Sequence, residues 1–376
     1  MKTWQRLKQN PDLWRSFLVR EQVFRIIRKF FYSQNFHEIE VPVLASGLPA
    51  ESYIEVFETA LLNRLRRSQR AFLTTSPEPF LKKLLVAGIG NCYSLTKSFR
   101  NTEDLSDTHN PEFTILEWYH VGVDYKQLMR DTEEFALFII QSLQKSSVIP
   151  ATHVIPNPHV IPAKAGISVR RSPDKSRMTI YYQGQSIDLT LPWPRISMTE
   201  AFIKYAQVNL MEILGDRGIQ KVAKSKGYST VNSTWEELFH QIYLNEVVPK
   251  FPKNKPTLIY DYPIQLAALA AKPKASDPRF CERFEVYIGS IELADGCTEL
   301  TDVKEQERRF NNEIKERRKK GKTEYPIDYE FLEALKLGLP KCAGIALGVD
   351  RLIMLLTNSS RIQHILFFPS SEMWML

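Results

Sequence analysis

The chain lacks any long apolar run: no window reaches the roughly 18 uninterrupted apolar residues that a membrane-spanning helix needs. Its start, MKTWQRLKQNPDLWRS, has no apolar stretch of signal-peptide length. A cytoplasmic protein with no membrane partner is therefore expected. Cysteine is also scarce. Cys92, Cys281, Cys297 and Cys342 are the only four and lie far apart, so there is neither a CxxC pair for zinc nor a disulfide framework. Such cysteines behave as small apolar residues. Charge of one sign is in short supply as well. The net charge is +7 over 376 residues. Lys164, Arg170, Arg171, Lys175 and Arg177 against Asp174 put +4 of it into residues 151 to 178. With so little basic charge elsewhere, composition makes no strong case for nucleic acid, and a mildly basic surface steers an acidic protein equally well.

What is present suits a folded core, with 43% hydrophobic and 25% charged residues. From Asp12 to Phe36 the apolar positions Leu13, Phe17, Val23, Phe24, Ile27, Phe30 and Phe31 recur at helical spacing, which predicts an amphipathic helix. HEIEVPVL then predicts a short strand, with Pro42 at a place that an interior ladder would not accept. RAFLTTSPEPFLKKLLVAGIGNCYSLTKSFRN reads as a strand, a helix start at Ser76-Pro77-Glu78, a helix, and a strand ending near Arg100. PEFTILEWYHVG follows after a polar loop and predicts an antiparallel partner for that strand.

Residues 150–178, with five prolines and a repeated HVIP, have no amphipathic period and read as an inserted loop or disordered segment. Residues 199–250 read as a small helical subdomain. PTLIYDYP and RFEVYIGSIELADG read as strands, followed by a charged helix from about Val303 to Lys320, the strand AGIALGVD and the helix DRLIMLL. Strands in runs with helices segregated around them predict an α+β fold with a mostly antiparallel sheet, a single domain over 1–376.

Three separated pieces carry a resemblance: the helix and strand ending at Pro42, the strand-loop-strand around Phe99-Arg100, and the strand-helix GVDRL around Arg351. Together they resemble the three motifs of class II aminoacyl-tRNA synthetases. HNPEFTILEWY and RFEVYIGSIEL resemble the lysyl members. SPE, ELADGCTELTD and CAGIALGVDRL resemble most closely their truncated paralogs, which attach (R)-β-lysine to elongation factor P. About twenty residues precede the first-motif helix, so no anticodon-binding domain is expected. Ala346 stands where lysyl enzymes have glycine and the paralogs alanine. One methyl in a tight pocket is worth about 1 to 3 kcal/mol, enough to reorder preference between α- and β-amino acids.

The resemblance implies an ATP-dependent ligase that forms an aminoacyl-adenylate from (R)-β-lysine or lysine, with elongation factor P as acceptor rather than tRNA, working as a homodimer. Adenylate formation needs no protein nucleophile; positioning and cations do the catalysis. Arg100 suits the α-phosphate and Arg351 the γ-phosphate, with Glu292 as the third catalytic residue. Glu285 and Glu292 resemble the carboxylates that hold Mg²⁺, and the pair needs an irregularity near Gly289 to share a face. For ATP the resemblance implies Asn101, Thr102, Glu103, His109, Asn110, Phe113 against the adenine, Leu293, and Gly348 for close backbone approach. For the amino acid it implies Ser76, Pro77 and Glu78 at the α- or β-ammonium, Glu299 and Tyr119 at the distal ammonium, Ala346, and Glu117 as further support. A pocket with carboxylates at both ends selects a diamine.

The chain departs from the pattern in three places. The second-motif loop has Thr102 where a glutamate is usual, and Asp295 and Cys297 replace an asparagine and an aromatic. A carboxylate at 295 would repel the substrate carboxylate unless turned away or protonated. A small lysyl-tRNA synthetase and a catalytically silent synthetase-like regulator therefore stay open as alternatives. The run VKEQERRFNNEIKERRKK reads either as a solvated helix face or as an RNA-binding element.

Overall fold

The computed structural model describes residues 2–10, 13–102, 106–145, 169–171, 178–267 and 270–374. Eight strands form the main sheet: β1 (His37–Glu38), β2 (Cys92–Phe99), β3 (Glu112–Val121), β4 (Arg195–Ser197), β5 (Thr257–Pro263), β6 (Phe280–Ile288), β7 (Ile291–Thr298) and β8 (Cys342–Gly348). Their spatial order is β1-β2-β3-β8-β7-β6-β5-β4. Only the two end pairs, β1 with β2 and β4 with β5, are parallel. The fold is thus α+β with a mostly antiparallel sheet.

The helices α1 (Trp14–Ser33), α2 (Glu78–Val86), α3 (Tyr125–Lys145), α4 (Val303–Lys319) and α5 (Val349–Thr357) flank it. The buried positions of α1, Val23, Ile26, Ile27, Phe30 and Phe31, fall on one stripe. They join Phe135 of α3, Trp118 of β3, Leu347 of β8 and Leu352 of α5 in one core beneath the sheet. Each such side chain contributes about 1.5 to 3 kcal/mol by leaving water. Strand alternation then sends the next residues, Glu117, Tyr119, Gly344 and Ala346, to the opposite face. On that face the outer strands are covered by helices between Met198 and Val247, whose Phe202, Phe239 and Tyr243 pack against Ile259, Tyr262 and Tyr287. The middle of the face stays open for the site.

Two strand predictions divide. HEIEVPVL gives His37–Glu38 in the main sheet and Leu44–Ala45 in a small sheet with Glu58–Leu62 and Ser68–Leu73, with Pro42 in the gap between them. RFEVYIGSIELADG is two strands, β6 and β7, turned at Gly289 and Ser290, both at positive φ, the backbone of a tight hairpin. Of the proline-rich insertion, residues 150–168 and 172–177 lie outside the described residues, while Val169–Arg171 pairs antiparallel with Met178–Tyr182. The charged helix α4 is not wholly solvated. Arg309 and Arg317 are buried, and Arg317 donates to the carbonyls of Glu51, Ile54 and Thr323.

One buried ion pair joins the elements of all three expected motifs. Arg20 of α1 meets Asp350 of α5 at 2.5 Å, the second Asp350 oxygen accepts the Thr114 amide of β3 at 2.7 Å, and Arg20 also donates to the Thr114 hydroxyl at 2.8 Å. Breaking such a pair strands a charge in the interior. Asp350→Asn is expected to lower unfolding stability by about 3 kcal/mol, and Thr114→Val by about 1 kcal/mol. The urea midpoint of each variant against the parent checks both.

Candidate active site

Two adjoining chambers open on the free face of the sheet. The larger, about 310 Å³, is lined by Arg100, His109, Asn110, Phe113, Glu292, Leu293, Gly348 and Arg351, among others. That volume falls at the low end for cofactor and nucleotide sites. The smaller, about 160 Å³, takes Ser76, Glu78, Glu117, Tyr119, Glu299 and Gly344, a space too small for a nucleotide. Arg100, Ile115, Asp295 and Ala346 line both, so they mark the junction.

Pairing across strands builds this junction. Glu117 of β3 lies opposite Ala346 of β8, which lies opposite Asp295 of β7, which lies opposite Glu285 of β6. One row over, Tyr119, Gly344, Cys297 and Arg283 are aligned in the same way. Sites assembled from four strands in register are held by the ladder itself.

In the larger chamber the Arg100 guanidinium lies 5.2 Å from the Phe113 ring centroid, so an arginine and an aromatic face stand side by side at one wall. Arg351 donates to the Glu292 carbonyl at 2.8 Å and meets His109 Nε2 at 2.9 Å. A guanidinium can only donate, so His109 accepts at Nε2 and carries its proton on Nδ1, which faces Ser106 Oγ at 2.7 Å. Asn110 lines the chamber, but its amide is already used: it donates to the Glu112 carbonyl and accepts from the Ser370 amide. Asn101 and Thr102 lie outside this lining, Asn101 bridged to Glu55. Glu103 lies outside the described residues.

The magnesium pair is brought to unequal places. The Glu292 side chain is 45% exposed at the chamber edge, in a loose ion pair with Arg351 at 3.7 Å. Glu285 is buried, outside both linings, with one oxygen on Arg283 at 2.8 Å and the other on the Tyr287 hydroxyl at 2.7 Å. Burial pushes its carboxyl upward, and Arg283 pulls it back. No group of three or more His, Cys, Asp or Glu poised for a metal occurs among the described residues. Mg²⁺ keeps waters and binds through one or two carboxylates plus phosphates, so Glu292 fits an ion that arrives with a triphosphate.

The same arginine answers the problem posed by Asp295. Arg283 grips Asp295 bidentately at 3.0 and 2.8 Å, which neutralises a carboxylate that would otherwise repel an anionic substrate. Cys297 donates its thiol toward Glu299 at 3.7 Å, and burial pushes that thiol far above its ordinary value, so it is no nucleophile.

In the smaller chamber Ser76 and Tyr119 each donate to a different oxygen of Glu117 at 2.7 Å. Pro77 caps α2 rather than lining the space. Glu78 and Glu299, expected at opposite ends of the substrate, are held together: the buried Lys82 ammonium lies 2.5 Å from each. Lys82, Glu51, Arg283 and Gly344 are site residues that the sequence reading missed. Lys82 stands four after Glu78 on a helix face, Arg283 stands two before Glu285 on a strand, and Gly344 interrupts a strand, so each had a signal. Glu51 had none, since its position follows from the Arg317 contacts to its loop.

Gly344 has no room to grow. A Cβ there would lie 2.4 Å from the Tyr119 ring and 2.5 Å from Glu299 Oε1. Gly344→Ala is therefore expected to cost about 1 to 3 kcal/mol of stability and to distort the smaller chamber, read by thermal unfolding with and without diamine.

Desolvation lifts Glu51 to about 7 and raises Glu117 and Glu299 as well, with Lys82 opposing the rise at Glu299. A cation binds their ionised forms. Affinity for a cationic ligand should therefore strengthen as pH rises through about 7, with protons released on binding, whereas the free protein should lose stability over the same range because its carboxyls hold protons that unfolded ones do not. Calorimetry in buffers of different ionisation enthalpy and melting at pH 6 to 8 read the two trends.

No helix among the described residues is long and apolar enough to cross a membrane. The arginine-lined chamber beside a carboxylate-rich one, on an antiparallel sheet flanked by helices, agrees with the comparison to known families: the model of the tRNA synthetases class II (D, K and N) matches residues 2–372, and the chain belongs to that family.

Proposed function

We propose that the protein activates a lysine-like diamino acid, (R)-β-lysine or lysine, with ATP and passes the acyl group to a lysine side chain of elongation factor P. The observation that carries this reading is the shared wall of the two chambers, where Arg100 faces both the space sized for a nucleotide and the space lined with carboxylates. In the first step a substrate carboxylate oxygen attacks the α-phosphorus of ATP, the bond to pyrophosphate breaks, and an aminoacyl-adenylate forms. In the second, the uncharged ε-amine of the acceptor attacks the acyl carbon, AMP leaves, and the amine gives up a proton.

Arg100 at the junction is suited to the α-phosphate charge that grows in the first step, and Arg351 at the far side to the terminal phosphate. Arg351 does not have to reorganise, because it is already oriented by Glu292 and His109. Mg²⁺, when bound at Glu292, would neutralise phosphate charge. Asp295 is already paired with Arg283, which favours an active ligase over a silent regulator.

The test is ATP-pyrophosphate exchange with (R)-β-lysine and L-lysine side by side, followed by transfer to purified elongation factor P and to tRNA. Exchange with a diamine and labelling of the factor is the expected result. Labelling of tRNA instead would replace the acceptor, and absence of exchange with either diamine in folded protein would overturn the reading. Arg100→Ala is expected to slow exchange by roughly a hundredfold or more with little change in melting temperature.

A further inference from the structure

Lys82 is the most deeply enclosed cation near the site, with its side chain 1% exposed. Its ammonium lies 2.5 Å from Glu78 Oε1 and 2.5 Å from Glu299 Oε2, so those two oxygens are no more than about 5 Å apart. Without a cation between them, two carboxylates this close could not both stay ionised away from water. The Tyr119 and Phe331 rings, with centroids 5.9 and 6.0 Å from the ammonium, close the rest of its surroundings. A lysine this costly to bury, aimed at the two carboxylates of a binding chamber, does more than fill space.

Counting charge around it gives a definite number. Glu51, Glu78, Glu117 and Glu299 line the chamber together with Arg100, whose charge offsets that of Glu51, and Lys82 cancels one of the three remaining negative charges. Asp295 and Arg283 cancel each other through their bidentate contact. The unfilled deficit is two positive charges. An amino acid with one ammonium leaves a buried carboxylate uncompensated or protonated, whereas one with two fills the deficit.

We propose that Lys82 is a specificity-determining residue: by bridging Glu78 and Glu299 it fixes the charge deficit of the chamber at two, so that the chamber takes a substrate with two ammonium groups and rejects its monoamino analogue. This rests on the reading above that the smaller chamber holds a diamino acid. Lys82 does not touch the reacting atoms. It acts through the two glutamates, favouring the ionised form of each, with Glu78 Oε2 left to the substrate and Glu299 Oε1 facing the Cys297 thiol.

The experiment measures binding of L-lysine, (R)-β-lysine and norleucine, which lacks the terminal ammonium, by calorimetry to the full chain and to variants whose melting is recorded. The parent is expected to prefer lysine or β-lysine over norleucine by roughly a hundredfold. Lys82→Ala is expected to weaken diamine binding by roughly thirtyfold or more, because Glu78 and Glu299 then share a proton with each other. Added methylammonium, which can enter the space left by the side chain, is expected to restore most of that loss, an effect that a purely structural lysine would not show.

Glu78→Gln, at a side chain 22% exposed, changes the count without opening a cavity. It is expected to lower the preference for lysine over norleucine by about tenfold or more, and it decides the matter if Lys82→Ala does not fold. Diamine binding to Lys82→Ala within about twofold of the parent, or an unchanged preference in Glu78→Gln, would overturn the role of Lys82 while leaving the diamine chamber standing. Failure of the parent to bind either diamine would overturn the reading on which it rests.

Discussion

The pair between Arg20 and Asp350 is the contact on which the rest of the site depends. It ties α1, β3 and α5 at one buried point through Thr114. Two of those elements line the larger chamber: β3 carries Phe113, and α5 carries Arg351 beside Asp350. A shift of α5 against β3 would move Arg351 relative to Phe113 and Arg100. The ladder from β3 through β8 and β7 to β6 extends the same rigidity to the smaller chamber, since it sets Glu117, Ala346 and Asp295 in one row. The strand residues of both chambers are therefore mounted on hydrogen-bonded backbone, which suits chemistry that works by positioning.

Around that frame the chain balances buried charge in small closed groups. Arg283 serves Asp295 and Glu285 at once, Lys82 serves Glu78 and Glu299, and Ser76 with Tyr119 satisfies Glu117. Each group is neutral or carries a deficit that a ligand can fill. The departure at Asp295 is absorbed by this arrangement, since a carboxylate in bidentate contact with a guanidinium presents little net charge to a neighbour. Glu285 is drawn in as well. Its carboxylate orders Arg283 and two tyrosine hydroxyls rather than lining a chamber.

The loop that brings Glu51 to the chamber shows how distant sequence enters the site. Arg317 donates to the carbonyls of Glu51 and Ile54, and Glu313 accepts the Ser52 amide. The helix that reads as a run of surface charge thus holds one wall of the smaller chamber, while its remaining cations, such as Arg308, Arg318 and Lys319, face solvent.

The sequence by itself determined the elements and their class. The apolar stripe of α1, the alternation in TILEWY and the Ser-Pro-Glu helix start are local signals, because backbone periodicity decides which face a side chain takes before any tertiary contact forms. It also placed Arg100, Phe113, Glu292 and Arg351, whose matching to motifs depends only on order along the chain. Only the tertiary structure decided which carboxylates share a cation. Glu78 and Glu299 are 221 positions apart in the chain, and nothing local says that one lysine reaches both. Likewise the hairpin at Gly289, the partnership of Arg283 with Asp295 and the reach of Arg317 to Glu51 follow from strand register and helix packing, because pairing between distant segments is settled by the whole core and not by any stretch of it.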